Sequence, residues 1–172
     1  LINMIRHRRE RQYEALGSSS STSTSKNDGE KDEIVLNLLR DPLGYQITFD
    51  FCRMEFSLEN LLLWKELESI RARIDSMTTD ERKNVLRDIK EKYIDHSSPR
   101  QLNISNQRKK DFMKVYDMPE PAASDCEQAF TTLYGVCLTN IADTITRLKS
   151  TKSFEHYERS KATVRELNED FK

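Results

Sequence analysis

Ser57, Glu59 and Asn60 stand at the mouth of the densest apolar run of the chain, in EFSLENLLLWKELESI, residues 55–70. A hydroxyl, a carboxylate and an amide so closely spaced can do two kinds of work. They can close a helix start, with Ser57 as the N-cap, Glu59 favoured by the positive helix end and Asn60 reaching back toward the cap. They can also offer polar groups to a partner from a rigid edge. Leu102-Asn103-Ile104 is a second stretch of this kind, two apolar residues around an asparagine in an otherwise polar loop. Leu102 and Ile104 are placed to plug into a core and hold Asn103 outward. The plainer reading of Asn103 is an ordinary turn asparagine.

Other chemistries find few residues. His7, His96 and His156 are far apart, and none lies in HExxH or beside a cysteine pair, so they read as surface histidines rather than metal ligands. There is no GxSxG, and Cys52, Cys126 and Cys137 sit in no reactive context. No Gly-rich loop offers a cradle for phosphate. Glu66 and Glu68 fall on what reads as a solvent face. No basic patch interleaves with aromatics, so nucleic acid is not an expected partner. Neither a catalytic group nor a metal or cofactor is expected. Asn103-Ile-Ser105 is a glycosylation sequon, without meaning in a cytosolic chain.

Composition narrows the class. The 172 residues carry 28 Lys and Arg against 29 Asp and Glu, so net charge gives no general pull toward polyanions. Gly and Pro number four each, while Leu, Lys, Glu and Arg abound, which favours an all-helical domain. Three cysteines without CxxC spacing fit buried thiols in a reducing compartment. No apolar run reaches the ~18 residues of a membrane span, and no secretory signal is visible. The chain begins at Leu1 rather than Met, which leaves room for a segment upstream.

Helical spacing must then position the two stretches. Residues 1–16 form a basic helical stub or a membrane-proximal segment, with Arg6, Arg8, Arg9 and Arg11 behind an apolar start. The Ser/Thr-rich residues 17–29 read as a flexible linker. The folded domain is expected over 30–172. Residues 32–39 have a short apolar face. Over 42–55, Tyr45, Ile47, Phe49 and Phe51 alternate as in a strand, but Leu43, Ile47 and Phe51 also fit a helix face. With no partner strand in sight, helix is the expectation.

Leu63, Leu67, Ile70 and Ile74, widened by Trp64, mark a helix over 58–75. Thr78-x-x-Glu81 is a capping box opening a helix over 79–95, with Val85, Ile89 and Tyr93 at steps of four. A short helix over 106–116 points Phe112 and Tyr116 inward. Pro119 and Pro121 break the chain. Phe130, Leu133, Cys137, Ile141, Ile145 and Leu148 predict one long helix over 124–149 despite Gly135. Residues 150–153 interrupt it, and a last helical segment presents Phe154, Tyr157, Val164, Leu167 and Phe171.

Together these segments resemble the regulator of G-protein signalling (RGS) domain. DPLGYQITFDFCRMEFSLENLLLWKELESI resembles its most recognisable block, a helix, an aromatic-Ser-x-Glu-Asn turn, then apolar residues around a Trp. IKEKYIDHSSPRQLNIS is similar to the segment leading into its partner-contacting loop, and SFEHYERS to its closing aromatic helix. The likeness spans about residues 32–161.

The resemblance implies an all-α bundle of about nine helices in two lobes, one an antiparallel four-helix bundle. It implies a domain that binds the alpha subunit of a heterotrimeric G protein and accelerates GTP hydrolysis there, supplying no catalytic residue of its own. A cytoplasmic place, or the inner face of the plasma membrane, follows. An RGS-like scaffold that binds without accelerating hydrolysis is the alternative. By position, Ser57, Glu59 and Asn60 match the family's switch-contacting turn and Asn103 its loop asparagine, with Phe56 and Leu102 as neighbours.

The closing part departs from the pattern. The family also contacts its partner through a Leu, an Asp and an Arg near the last two bundle helices. Aligned without a gap, Val136 takes the Leu place, Asn140 the Asp place and Thr144 the Arg place. Aligned back from SFEHYERS, Lys152 meets the Asp and His156 the Arg. About eleven extra residues lie within IADTITRLKST, residues 141–151, and read as added helical turns. Neither alignment keeps the Asp–Arg combination.

Overall fold

A computed structural model describes residues 27–170 of the chain. The expected basic segment 1–16, most of the expected linker, His7 and Phe171 lie outside the described residues. The chain divides into a unit of residues 1–30 and a unit of residues 31–172, and the second carries the core.

Seven α-helices, one 3-10 turn and one π turn make up the described residues, and no strand occurs among them. In chain order they are α1 (Asn27–Arg40), α2 (Pro42–Met54), α3 (Leu58–Arg71), a 3-10 turn (Ile74–Ser76), α4 (Thr79–Ile89), a π turn (Lys90–Ile94), α5 (Asn106–Tyr116), α6 (Ala123–Leu148) and α7 (Lys152–Asp170). The all-α expectation holds. Helix α1 starts inside the stretch expected as linker, taking in Asn27, Asp28 and Gly29. The expected 58–75 helix ends at Arg71, and Ile74 reaches the core from the 3-10 turn.

Local chemistry sets the starts. Asp41 caps α2, accepting from the Gly44 N–H at 2.9 Å, and Pro42 occupies the first turn, where a missing N–H costs nothing. Thr78 and Glu81 form the expected capping box of α4. Ser105 accepts from the Arg108 N–H at the start of α5.

Helix α6 is the central element and packs against α2, α3, α4 and α5. Every apolar position expected on its inward face is buried: Phe130, Leu133, Cys137, Ile141, Ile145 and Leu148. All but Leu148 share one core cluster with Leu61, Leu63, Trp64, Leu67 and Ile70 of α3. A stripe repeating at three and four residues wraps one helix side, so two such helices exclude water along their length. Helix α7 packs on α2 through Tyr157 and an ion pair from Lys161 to Asp41 at 2.5 Å.

Helix α2 turns a different face inward from the one expected. Gly44, Thr48 and Cys52 are buried, whereas Leu43 is 46% exposed. The cause is close backbone approach: a Cβ on Gly44 would collide with the Leu38 carbonyl of α1. The buried face is made of small residues, and Tyr45, Ile47 and Phe49 flank it half-buried. A count of apolar residues favours the bulky stripe and misses a contact made through small ones.

Candidate functional site

The candidate site is the turn joining α2 to α3. Helix α2 ends in a Schellman motif: the Ser57 N–H bonds the Cys52 carbonyl at 2.9 Å and the Phe56 N–H bonds the Arg53 carbonyl at 3.4 Å. That motif puts its next-to-last residue in the left-handed region, usually as glycine. Phe56 occupies the position here with φ 55°, and it is the non-glycine residue with positive φ among the described residues. Its ring is pushed into solvent, 68% exposed, two residues beyond the equally bare Met54. A bulky residue held in this conformation stores strain, which persists only where the surroundings fix it.

Ser57 does not cap α3. Its hydroxyl points back to the Cys52 carbonyl at 3.5 Å, and its backbone is not in the extended conformation that side-chain capping uses. Nor does Asn60 reach back toward the cap. Its Oδ1 accepts from Asn140 Nδ2 of α6 at 2.8 Å, and its Nδ2 donates to Glu59 Oε1 at 3.1 Å. Glu59 does stand in the first turn of α3, as the helix-start account expects, but for Asn60 that account is replaced by a cross-link between α3 and α6. An amide offers two N–H protons and two acceptor lone pairs, so Asn60 keeps one of each after these bonds. Ser57 and Asn60 are mostly buried, Glu59 half-buried.

The loop asparagine is placed as expected. Leu102 and Ile104 are buried and Asn103 between them is exposed. The loop is tied down at Tyr93. The π turn leaves carbonyls without helical partners, and the Tyr93 carbonyl accepts from the Leu102 N–H at 2.8 Å. The Tyr93 hydroxyl donates to Glu66 Oε1 of α3 at 2.8 Å. Burial first, then the Glu66 carboxylate, raises the Tyr93 phenol well above its usual range, so it stays a donor. The helix that opens at the turn is thus bonded to the residue that anchors the Asn103 loop.

Glu66 and Glu68 are correspondingly not a solvent-facing pair. Both are half-buried, and Glu68 accepts from the Tyr134 hydroxyl at 2.5 Å. Spacing along one helix could not show that two tyrosines come up beneath them.

The other expected contact residues separate by exposure. Val136 and Leu102 are core, with 6% and 1% of their surface open, and unlike the equally enclosed Ser57 and Asn60 they have no polar side-chain atom to offer a partner. Asn140 is brought to the turn. Thr144 is buried and donates to the Asn140 carbonyl at 3.1 Å. Lys152 and His156 are exposed on α7. The ungapped alignment is thus the one whose Asp-place residue reaches Asn60.

Sequence reasoning passed over Arg147. Its Nε and Nη2 grip the two Glu55 oxygens at 2.8 and 2.6 Å, at the other edge of the turn. No local pattern joins residues so far apart in the chain. The three thiols offer no nucleophile: Cys52, Cys126 and Cys137 are buried, and burial pushes Cys52 up to about 11 and Cys137 to about 12. No helix among the described residues is long and apolar enough to cross a membrane.

Comparison with known proteins gives a consistent picture. A family model described as Regulator of G protein signaling domain matches residues 35–162. Regulator of G-protein signaling 19 of Bos taurus is 28% identical over 97 residues, which covers 56% of this chain and 41% of that protein. Regulator of G-protein signaling 10 of Mus musculus is 33% identical over 109 residues, covering 61% of this chain and 56% of that protein. The matched part of the chain thus spans about half the length of these relatives.

Proposed function

The chain belongs to the regulator of G protein signaling domain family, and from that premise we propose that it accelerates GTP hydrolysis by the alpha subunit of a heterotrimeric G protein. Phe56, Ser57, Glu59, Asn60 and Asn103 grip the subunit's switch segments, and Asn140 backs them. Leu102 and Val136, being buried, support these residues from beneath, and His156 stays at the margin. The domain is a GTPase activator, not an enzyme. Its place is the cytoplasm, at the membrane face where its partner works.

The physics suits a protein without a nucleophile. An alpha subunit already carries an arginine and a water-positioning glutamine for its own hydrolysis. Its switch segments are mobile. A partner that prefers their transition-state arrangement lowers the barrier by binding that arrangement more tightly than the ground state. Such selection needs polar groups that do not move. The observation carrying this reading is Asn60, fixed between Glu59 and Asn140 on the first turn of a buried helix. Its spare donor and acceptor are the groups offered to the partner.

Single-turnover GTP hydrolysis on a panel of alpha subunits tests the reading. Acceleration is expected, and Asn103→Ala should reduce it about tenfold or more without unfolding, the loss expected for an interaction made mainly in the transition state. Full activity in that variant would remove the assignment of Asn103. Binding without acceleration, or with no preference for the aluminium fluoride state, would instead mark a scaffold.

A further inference from the structure

The stretch 141–151 extends α6 beyond Asn140 and carries Arg147 two helical turns further along the same face. Seven residues at 1.5 Å each put these two side chains about 10 Å apart along the axis. Asn140 reaches Asn60, after the turn, and Arg147 reaches Glu55, before it. Thr144 lies between them, accepting from Arg147 Nη2 at 3.2 Å and donating to the Asn140 carbonyl. One stripe of one helix therefore touches both ends of the six-residue stretch 55–60, and the strained Phe56 lies inside the span.

We propose that Arg147 is a positioning residue: its two-pronged bond to Glu55, with the Asn140–Asn60 bond as the second anchor, clamps the α2–α3 turn and holds Phe56 outward before any partner arrives. The planar guanidinium suits this task, because two parallel bonds fix direction as well as distance, which a lysine's single point charge does not. Glu55 is the more enclosed member, 22% exposed against 49% for Arg147, so the clamp is partly shielded from solvent. A partner meeting a turn already in shape loses less conformational freedom on binding. The stretch 141–151 of α6 then has a function: it carries Arg147, the anchor on the near side of the turn. This rests on reading the turn as the partner-facing site, but the clamp itself can be judged in the free protein.

Amide hydrogen exchange on the whole chain is the primary test. Arg147→Ala should speed exchange at the Phe56 and Ser57 amides roughly fivefold, the loss of one good partly shielded ion pair, and leave the α3 and α6 core amides unchanged. Arg147→Lys should recover only part of the protection. The reversed pair, Glu55→Arg with Arg147→Glu, should recover most of it. Unchanged exchange at Phe56 and Ser57 in Arg147→Ala overturns the clamp, as does equal acceleration across the core. With an alpha subunit that the wild type accelerates, Arg147→Ala should raise the half-saturating concentration several-fold and leave the maximal rate in place. If the wild type accelerates none, the functional reading falls, and the exchange result still decides the clamp.

Discussion

Replacing Phe56 with glycine should make the fold more stable and the protein a poorer regulator. The residue sits at φ 55° in a Schellman motif, where a Cβ crowds the following carbonyl. For a non-glycine residue that conformation costs about 1–2 kcal/mol. Glycine removes this cost but adds about 0.5–1 kcal/mol of backbone freedom to the unfolded chain. The net gain is between about 0 and 1.5 kcal/mol, centred near 1. Little packing is lost, because the ring is 68% exposed. Phe56→Ala keeps the strained backbone and removes the same ring, so the two variants share the side-chain loss and differ in the backbone. The glycine form should melt about 3 °C above the alanine form, the shift that about 1 kcal/mol produces in a domain of this size. Thermal unfolding measures that difference, and single-turnover hydrolysis measures the shared loss of grip. An alanine form as stable as the glycine form or more so would refute the strain argument. Full acceleration by both variants would remove Phe56 from the contact surface.

Gly44→Ala should destabilise the domain by about 1–3 kcal/mol, the range for overpacking a close contact, because its Cβ would meet the Leu38 carbonyl and force α1 and α2 apart; denaturant unfolding reads this, and wild-type stability would show that the two helices separate freely. The Asp41–Lys161 pair predicts an acid limit for the contact of α7 with α2. The hydrogen bond from Lys161, and then the Gly44 N–H, hold the Asp41 carboxyl below its ordinary value near 3.8. A carboxylate with a depressed folded-state pKa contributes stability that is present above its unfolded pKa and lost as pH falls through the folded one. Unfolding measured from pH 7 down to pH 2 should therefore show a loss beginning below about pH 4 that Asp41→Asn flattens; an unchanged pH profile in that variant would discount the pair.

Much of the fold was legible in the chain. Steps of three and four located α3, α4, α5 and α6, and an all-helical class followed from composition as well as spacing. Helix α6 was readable because its buried face is long, apolar and uninterrupted; Gly135 lies on the opposite side, where a Cβ would meet open space. Asn103 was readable because its two apolar neighbours announced their own burial. Helix α2 was legible as a helix but not as a face: Gly44, Thr48 and Cys52 are its buried residues, and the smallness of Gly44 matters only when the Leu38 backbone is known to lie against it.

Local sequence determined which segments become helices, because hydrogen bonding and capping close within a few residues. It also brought Ser57, Glu59 and Asn60 together, as neighbours on one chain. Tertiary structure alone decided what they do there. Ser57 turned back on α2 instead of capping α3, and Asn60 bonded to α6 instead of its own helix start. Tyr93 tied the Asn103 loop to Glu66, and Arg147 closed on Glu55. Apart from the Ser57 bond, which closes within the end of α2, each of these bonds joins groups that meet only after the helices have packed. Their partners are set by the register of one apolar stripe against another, and that register is a property of the whole core rather than of any stretch of residues.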